Sequence, residues 1–462
     1  MPSDHDLPTP SRREFLSSAA LLTAGLSLGC ANGAERAFAP GVRAPNGATT
    51  DRDDDQEGGG KGGLPAPDQS GIEHIVVVMM ENRSFDHLLG WLPRADGRQA
   101  GLVYRDRNDV AFRTYPLAPD YQGCGHPDPD HSYEGGRIQY DDGRCDGFLR
   151  SGDNDIYAIG YYKRTDLPFF GRAAADWTSF DRYFAAILSQ TFPNRFIQHA
   201  AQTDRIDDSF ALSTLPTIWD RLADNGLTGR YYFSDLPFLL LWGAKYLPIM
   251  RPIDEFMAAC AAGTLPQLSF VEPRFVGEDE GTSTDDHPHA DIRSGEAFLN
   301  DVYRAVTQSP AWGQTVLVIN FDEWGGFFEH VPPDVTAISD LERAAGNADG
   351  RRGFRTPALV VSPFARREYV SHQVFDHASI LRMIEWRWGL DPLTVRDQTA
   401  NNLAEVLDFQ HPRLHAPQYL VPPVVGQACP STGSVIASAD VSRARSLRWR
   451  GLQELAGAYA IP

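Results

Sequence analysis

The amino-acid sequence predicts an α/β protein built on a central, mostly parallel sheet flanked by helices on both faces. Three observations predict it. Four short apolar runs read as buried strands: Ile75–Met80, Leu268–Val271, Thr315–Phe321 and Ala358–Val361. Helical spacing falls between them, clearest over Phe85–Trp91, Ile218–Asn225, Glu296–Thr307 and Ser379–Trp388. Polar or turn residues follow each run at once: Glu81-Asn82, Glu272-Pro273, Asp322-Glu323 and Ser362-Pro363. Strands alternating with helices make a parallel sheet covered on both faces. Such sheets bind ligands beyond the carboxyl ends of their strands, where these acids lie.

The N-terminus precedes that pattern and has its own signal. Ser11-Arg12-Arg13-Glu14-Phe15-Leu16 is a twin-arginine pattern, and a weakly apolar stretch from Leu16 to Leu28 follows it. Residues 1–30 therefore read as a signal for export in the folded state, to the periplasm or the outside. The apolar run is too short to span a membrane, and the mature chain offers no transmembrane candidate. Leu28-Gly29-Cys30 hints at a lipoprotein cleavage site. Ser27 and Leu28, however, stand where such a site wants an aliphatic and then a small residue, so release is favoured over anchoring through Cys30.

Residues 31–70 are dominated by Gly, Pro, Asp and Ala and read as a flexible tether. The catalytic domain is expected over 71–414, with residues 415–462 as a C-terminal extension. Helical spacing over Arg443–Tyr459 predicts a helix docked on that domain. No internal repeat is evident.

The 462 residues carry a formal net charge of -19, and -18 remains after removal of residues 1–30. A surface that acidic argues against nucleic acid as a partner, because phosphate backbones need basic patches. It argues equally against electrostatic docking on anionic lipid. A zwitterionic head group would not be repelled in that way. The mature chain keeps Cys124, Cys145, Cys260 and Cys429. In an exported protein an even count permits disulfides, and the Gly- and Asp-rich loop between Cys124 and Cys145 makes that pair the first expectation. Their spacing fits no zinc motif.

Chemistry concentrates in three stretches. Ile75 to Met80 delivers a carboxylate and a carboxamide, Glu81 and Asn82, side by side before a turn into a helix. Phe321 leads to the paired carboxylates Asp322 and Glu323, then Trp324-Gly325-Gly326 and His330. Oxygen donors of this kind suit a hard or borderline cation, and the Gly-Gly pair lets backbone approach a ligand. Thr191-Phe192-Pro193-Asn194-Arg195 sets a hydroxyl just before a constrained turn. Beside a metal, such a hydroxyl can lose its proton and attack phosphorus. Histidines add acid–base capacity: His126 and His131 in an Asp-rich loop, His287 and His289 in Asp285–Asp291, then His330 and His377.

The run His74–Asp86 resembles the signature of the phospholipase C and acid phosphatase family, as does Asp322–Pro333. Asp146-Gly147-Phe148, Asp166–Phe170, Thr191–Arg195 and Asp376-His377 support the resemblance, which runs in order from about Ile72 to Leu390. It implies an alkaline-phosphatase-like fold and a metal-dependent phosphoesterase with a Ser or Thr nucleophile. By motif, Glu81, Asn82, Asp322 and Glu323 would hold one divalent metal ion, whose identity stays open. Thr191 would be the nucleophile and His131 the proton donor to the leaving group. His289, His330 and His377 would line the phosphate pocket, with His287 competing for the role of His289.

Substrate choice stays open at this level. A phospholipase C would take phosphatidylcholine-type diesters, and aromatic residues near the motifs, such as Tyr157, Tyr231 and Trp324, could face a quaternary ammonium. The larger phospholipases of the family carry extra C-terminal β domains, which are not expected in this sequence. That points towards a compact phosphatase or phosphodiesterase acting on soluble esters, the alternative to the phospholipase C expected first. A secreted binding protein without chemistry is the reading from another class, and it predicts gaps in the metal set that the sequence does not have.

Overall fold

The computed structural model describes residues 63–278, 280–429 and 439–461. The twin-arginine segment, Cys30 and most of the predicted tether lie outside the described residues. Eight strands form the main sheet of the described residues. They are β1 (His74–Met80), β2 (Thr178–Phe180), β3 (Gly229–Phe233), β4 (Met250–Pro252), β5 (Leu268–Val271), β6 (Thr315–Phe321), β7 (Ala358–Val361) and β8 (Tyr369–Ser371). Their spatial order is β8-β2-β7-β6-β1-β5-β3-β4. Only β7 runs antiparallel to its neighbours, and every other pairing is parallel.

The central strands are covered on both faces. Every residue of β6 is buried, as are six of the seven in β1. Burial on both sides removes the need for alternation, which is why these strands read as unbroken Val, Ile and Leu runs. The helices that matter for the site are α1 (Phe85–Leu89), α2 (Tyr133–Tyr140), α3 (Thr191–Ala200), α4 (Ile292–Thr307), α5 (His377–Trp388) and α6 (Ala439–Ala458). Their starts are capped by short polar side chains. Ser84 accepts from the His87 amide, Asp291 from Arg293, and Asp376 forms a reciprocal capping box with Ser379. Gly389 ends α5 with φ 65°, a conformation that costs glycine little. In α6, Trp449, Leu452 and Ala456 are buried against the main core.

The cysteine expectation is corrected. Cys124 pairs with Cys429, not with Cys145. Cys145 is buried in an apolar cluster with Phe148, Trp324, Phe328 and Phe354. The true partner lies 305 residues away in sequence, on the segment that returns over the loop around Gly281. No local spacing could signal it. No helix of the described residues is long and apolar enough to cross a membrane.

Candidate active site

Strand register builds the site. β1 and β6 pair in parallel with Met80 opposite Phe321, so Glu81 and Asp322 leave the sheet side by side. Backbone amides then fix the acids. Asp322 Oδ1 accepts from the Asn82 amide at 3.0 Å and from the Glu323 amide at 2.7 Å. Glu323 Oε2 accepts from the Gly325 amide at 2.7 Å. Asn82 has φ 58°, an uncommon left-handed conformation for a residue with a Cβ. Residues forced into such conformations cluster at functional sites.

Thr191 opens α3, and its Oγ1 lies 3.2 Å from Glu81 Oε2 and 3.4 Å from Asn82 Oδ1. Pro193 sits in the first turn, where its missing N–H costs no helix bond. One turn on, Arg195 reaches the same acids. Its guanidinium contacts Glu81 Oε1 at 2.6 Å, Glu272 Oε1 at 2.7 Å and Asp322 Oδ2 at 3.5 Å. Glu81, Asn82, Thr191, Arg195, Asp322 and Glu323 all have no exposed surface. Burial works against the charge on Arg195, but the carboxylates of Glu272, Glu81 and Asp322 outweigh it and raise its pKa. Burial pushes Glu272 up to about 7 against the pull of Arg195. Asp285, whose carbonyl accepts from the Glu81 amide, is pushed up to about 7 by burial and then by the Glu81 charge.

The donor set fits a divalent cation. Three buried carboxylates, Glu81, Glu272 and Asp322, converge on one guanidinium beside Glu323 and the Asn82 carboxamide, an excess of anionic oxygen that a hard or borderline ion matches. Glu81, Asn82, Asp322 and Glu323 are thus brought together around Thr191. His131 joins them: its Nε2 lies 3.4 Å from Asn82 Nδ2 and 3.9 Å from Glu323 Oε1, while Nδ1 is held by the Pro129 carbonyl at 2.7 Å. The His287 ring stands 5.9 Å from that of His131, and Asp128, His131 and His287 offer ligand atoms within 4.8 Å of one another.

The other histidines point elsewhere. His289 Nε2 donates to the His126 carbonyl at 2.9 Å, turned that way by φ 82° at His289. Of the two competitors, His287 is therefore the one that faces His131. His330 belongs to a second cluster. Its Nδ1 lies 2.5 Å from Asp86 Oδ2, with Glu329 and Asp96 close by. Asp86, Glu329 and His330 could hold an ion by spacing, but Arg355 already occupies the cluster, 2.6 Å from Glu329 and 3.2 Å from Asp86. His377 donates Nε2–H to the Phe321 carbonyl at 3.1 Å, and burial lowers its pKa to about 4. Its ring is buried at the end of β6.

Two residues of the site went unassigned from sequence, Arg195 and Glu272. Arg195 stands four residues after Thr191 on one helix, the spacing that puts both on one face. Glu272 follows directly on β5, the same strand-end position that marked Glu81 and Asp322.

The model of the phosphoesterase family matches residues 72–391. Non-specific phospholipase C1 of Arabidopsis thaliana is 29% identical over 76% of this chain and 74% of its own. Phospholipase C B of Mycobacterium tuberculosis is 28% identical over 100% of this chain and 99% of its own. A solved alkaline phosphatase superfamily protein from Vibrio parahaemolyticus overlays with a TM-score of 0.36 at 10% identity, covering 86% of this chain and 90% of that one.

Proposed function

The chain belongs to the phosphoesterase family and is a hydrolase of phosphoric esters, and from that premise we propose that it is a metal-dependent phospholipase C acting on phosphatidylcholine-type diesters. The observation that carries this is the Thr191 hydroxyl seated between Glu81 and Asn82 at the start of α3. The phospholipases among its relatives support the diester.

A divalent cation held by Glu81, Asn82, Asp322 and Glu323 would lower the hydroxyl pKa and neutralise phosphate charge. The rest falls to the chain. Thr191 Oγ1 gives up its proton to solvent and attacks phosphorus, and the bond to the leaving oxygen breaks in line. His131, protonated on Nε2, hands that proton to the leaving alkoxide, which departs as diacylglycerol. Water then attacks the phosphothreonine from the opposite side, releasing phosphocholine and restoring Thr191. Arg195 and the backbone amides on Asp322 hold the donors in place, so little rearrangement is needed during reaction. Export by the twin-arginine route, to the periplasm or outside, rests on Ser11–Leu16.

Hydrolysis of p-nitrophenylphosphorylcholine against p-nitrophenyl phosphate, for the wild type and Thr191→Ala across several divalent metals, tests this. Preference for the choline diester, lost in Thr191→Ala, is expected. Preference for the monoester would make it an acid phosphatase with the same nucleophile. Turnover of neither would leave a binding protein.

A further inference from the structure

A chain of ring contacts runs from the C-terminal helix to the candidate site. The Trp449 indole of α6 stacks on Phe275 with ring centroids 4.4 Å apart and 10° between planes. Phe275 also lies against the guanidinium of Arg195, 4.9 Å from the ring centroid. Trp449 also meets Phe192, the residue after Thr191, edge to face at 6.2 Å. The Phe275 backbone is pinned on the far side, its amide donating to Asp235 Oδ1 at 3.1 Å. Trp449 lies beyond residue 391, where the family match ends.

We propose that Trp449 is a positioning residue for the candidate centre, clamping Phe275 against Arg195. Resting on the function proposed above, it acts through the sharing of Glu81. Arg195 takes Glu81 Oε1, which leaves Oε2 turned to Thr191. A guanidinium held between an aromatic face and three carboxylates cannot swing away. Without the indole, the Phe275 ring gains room, Arg195 loses its backing, and the donors of Glu81 and Asp322 are no longer held in one arrangement. Substrate contacts are untouched, so the effect falls on cation affinity and turnover, not on KM.

The test uses the full chain with Trp449→Ala, Trp449→Phe and Phe275→Leu. Phe275→Leu removes the aromatic face on Arg195 while leaving α6 its contacts through Leu452, Ala456 and the Trp449–Phe192 pair, so it stands in if Trp449→Ala does not fold. Manganese(II) alone is titrated calorimetrically, and kcat and KM are measured with p-nitrophenylphosphorylcholine. Trp449→Ala and Phe275→Leu should weaken manganese binding about tenfold and lower kcat by a similar factor, with KM within about twofold. Trp449→Phe should recover to within about threefold, because a smaller ring still stacks. Wild-type manganese affinity and kcat in Trp449→Ala, or in Phe275→Leu where Trp449→Ala does not fold, would overturn the proposal. So would equal damage in Trp449→Ala and Trp449→Phe, the mark of lost packing alone. A wild type that binds manganese but hydrolyses neither ester would sink the proposed function, while the manganese titration still decides the role of Trp449.

Discussion

Gly325 passes so close to Asn82 that a Cβ built on it would fall 2.0 Å from the Asn82 carbonyl oxygen. Gly325 also has φ 64°, a backbone conformation that favours glycine. Its amide holds Glu323 Oε2, and Asn82 is a predicted metal ligand, so this crossing locks the two strand ends together. Gly325→Ala must push the Glu81-Asn82 turn away. The expected cost is about 1–3 kcal/mol of stability from the strained conformation alone. Metal affinity should fall as well. Chemical denaturation and a metal titration check both, and unchanged metal affinity would mean that the crossing does not hold the donors.

Arg355 balances the second buried cluster. It contacts Glu329 and Asp86, all three without exposed surface, and burial pushes Glu329 up to about 7 against its pull. Arg355→Met leaves two buried acids without their guanidinium, and breaking a buried pair in that way costs about 3–5 kcal/mol. Glu329→Gln placed in the same chain should recover part of the loss, because it removes one stranded charge. Urea midpoints of the wild type, the two single variants and the double variant measure the coupling. Additive losses would show that Arg355 acts through packing on Phe85, not charge.

The Cys124–Cys429 bond ties the C-terminal segment to the loop that leads into His126 and His131. The Cys429 amide donates to the Glu280 carbonyl, and Gln122 Nε2 donates to the Gln427 carbonyl at 2.7 Å. A cross-link between positions 305 apart restricts a very long loop in the unfolded chain. Removing it by Cys429→Ser should cost about 2–4 kcal/mol. Denaturation with and without reductant checks this: reductant should lower the midpoint of the wild type and leave that of Cys429→Ser unchanged.

These contacts show what sequence patterns carry and what they lose. β5, β6 and β7 have the residues predicted for them, because a strand buried on both faces writes itself as an apolar run. The outer strands β2, β3, β4 and β8 mix polar residues into three to five positions, too short for periodicity to show. Glu81, Asn82, Asp322 and Glu323 were legible because strand ends place them. The direction of His289 was not, because a loop ring is aimed by backbone conformation, as φ 82° turns it towards His126. Cys429 carried no local signal at all.

Glu385 on α5 predicts how stability depends on pH. It is only 1% exposed, beside the carboxyl of Asp397. Arg382 comes no nearer than 4.0 Å. Burial, and then the neighbouring Asp397, push its pKa up to about 10 from 4.5. The folded state therefore keeps a proton that the unfolded chain releases. Below the unfolded value Glu385 is neutral in both states and costs nothing. As pH rises from 4.5 towards 10, the unfolded chain ionises first and gains, so stability is lost across that window. Glu385→Gln cannot ionise and keeps the shape. Its melting temperature should match the wild type below pH 4 and exceed it by several degrees near pH 9. Parallel curves for the two proteins would mean that Glu385 is ionised in the fold, with Arg382 drawn in to meet it.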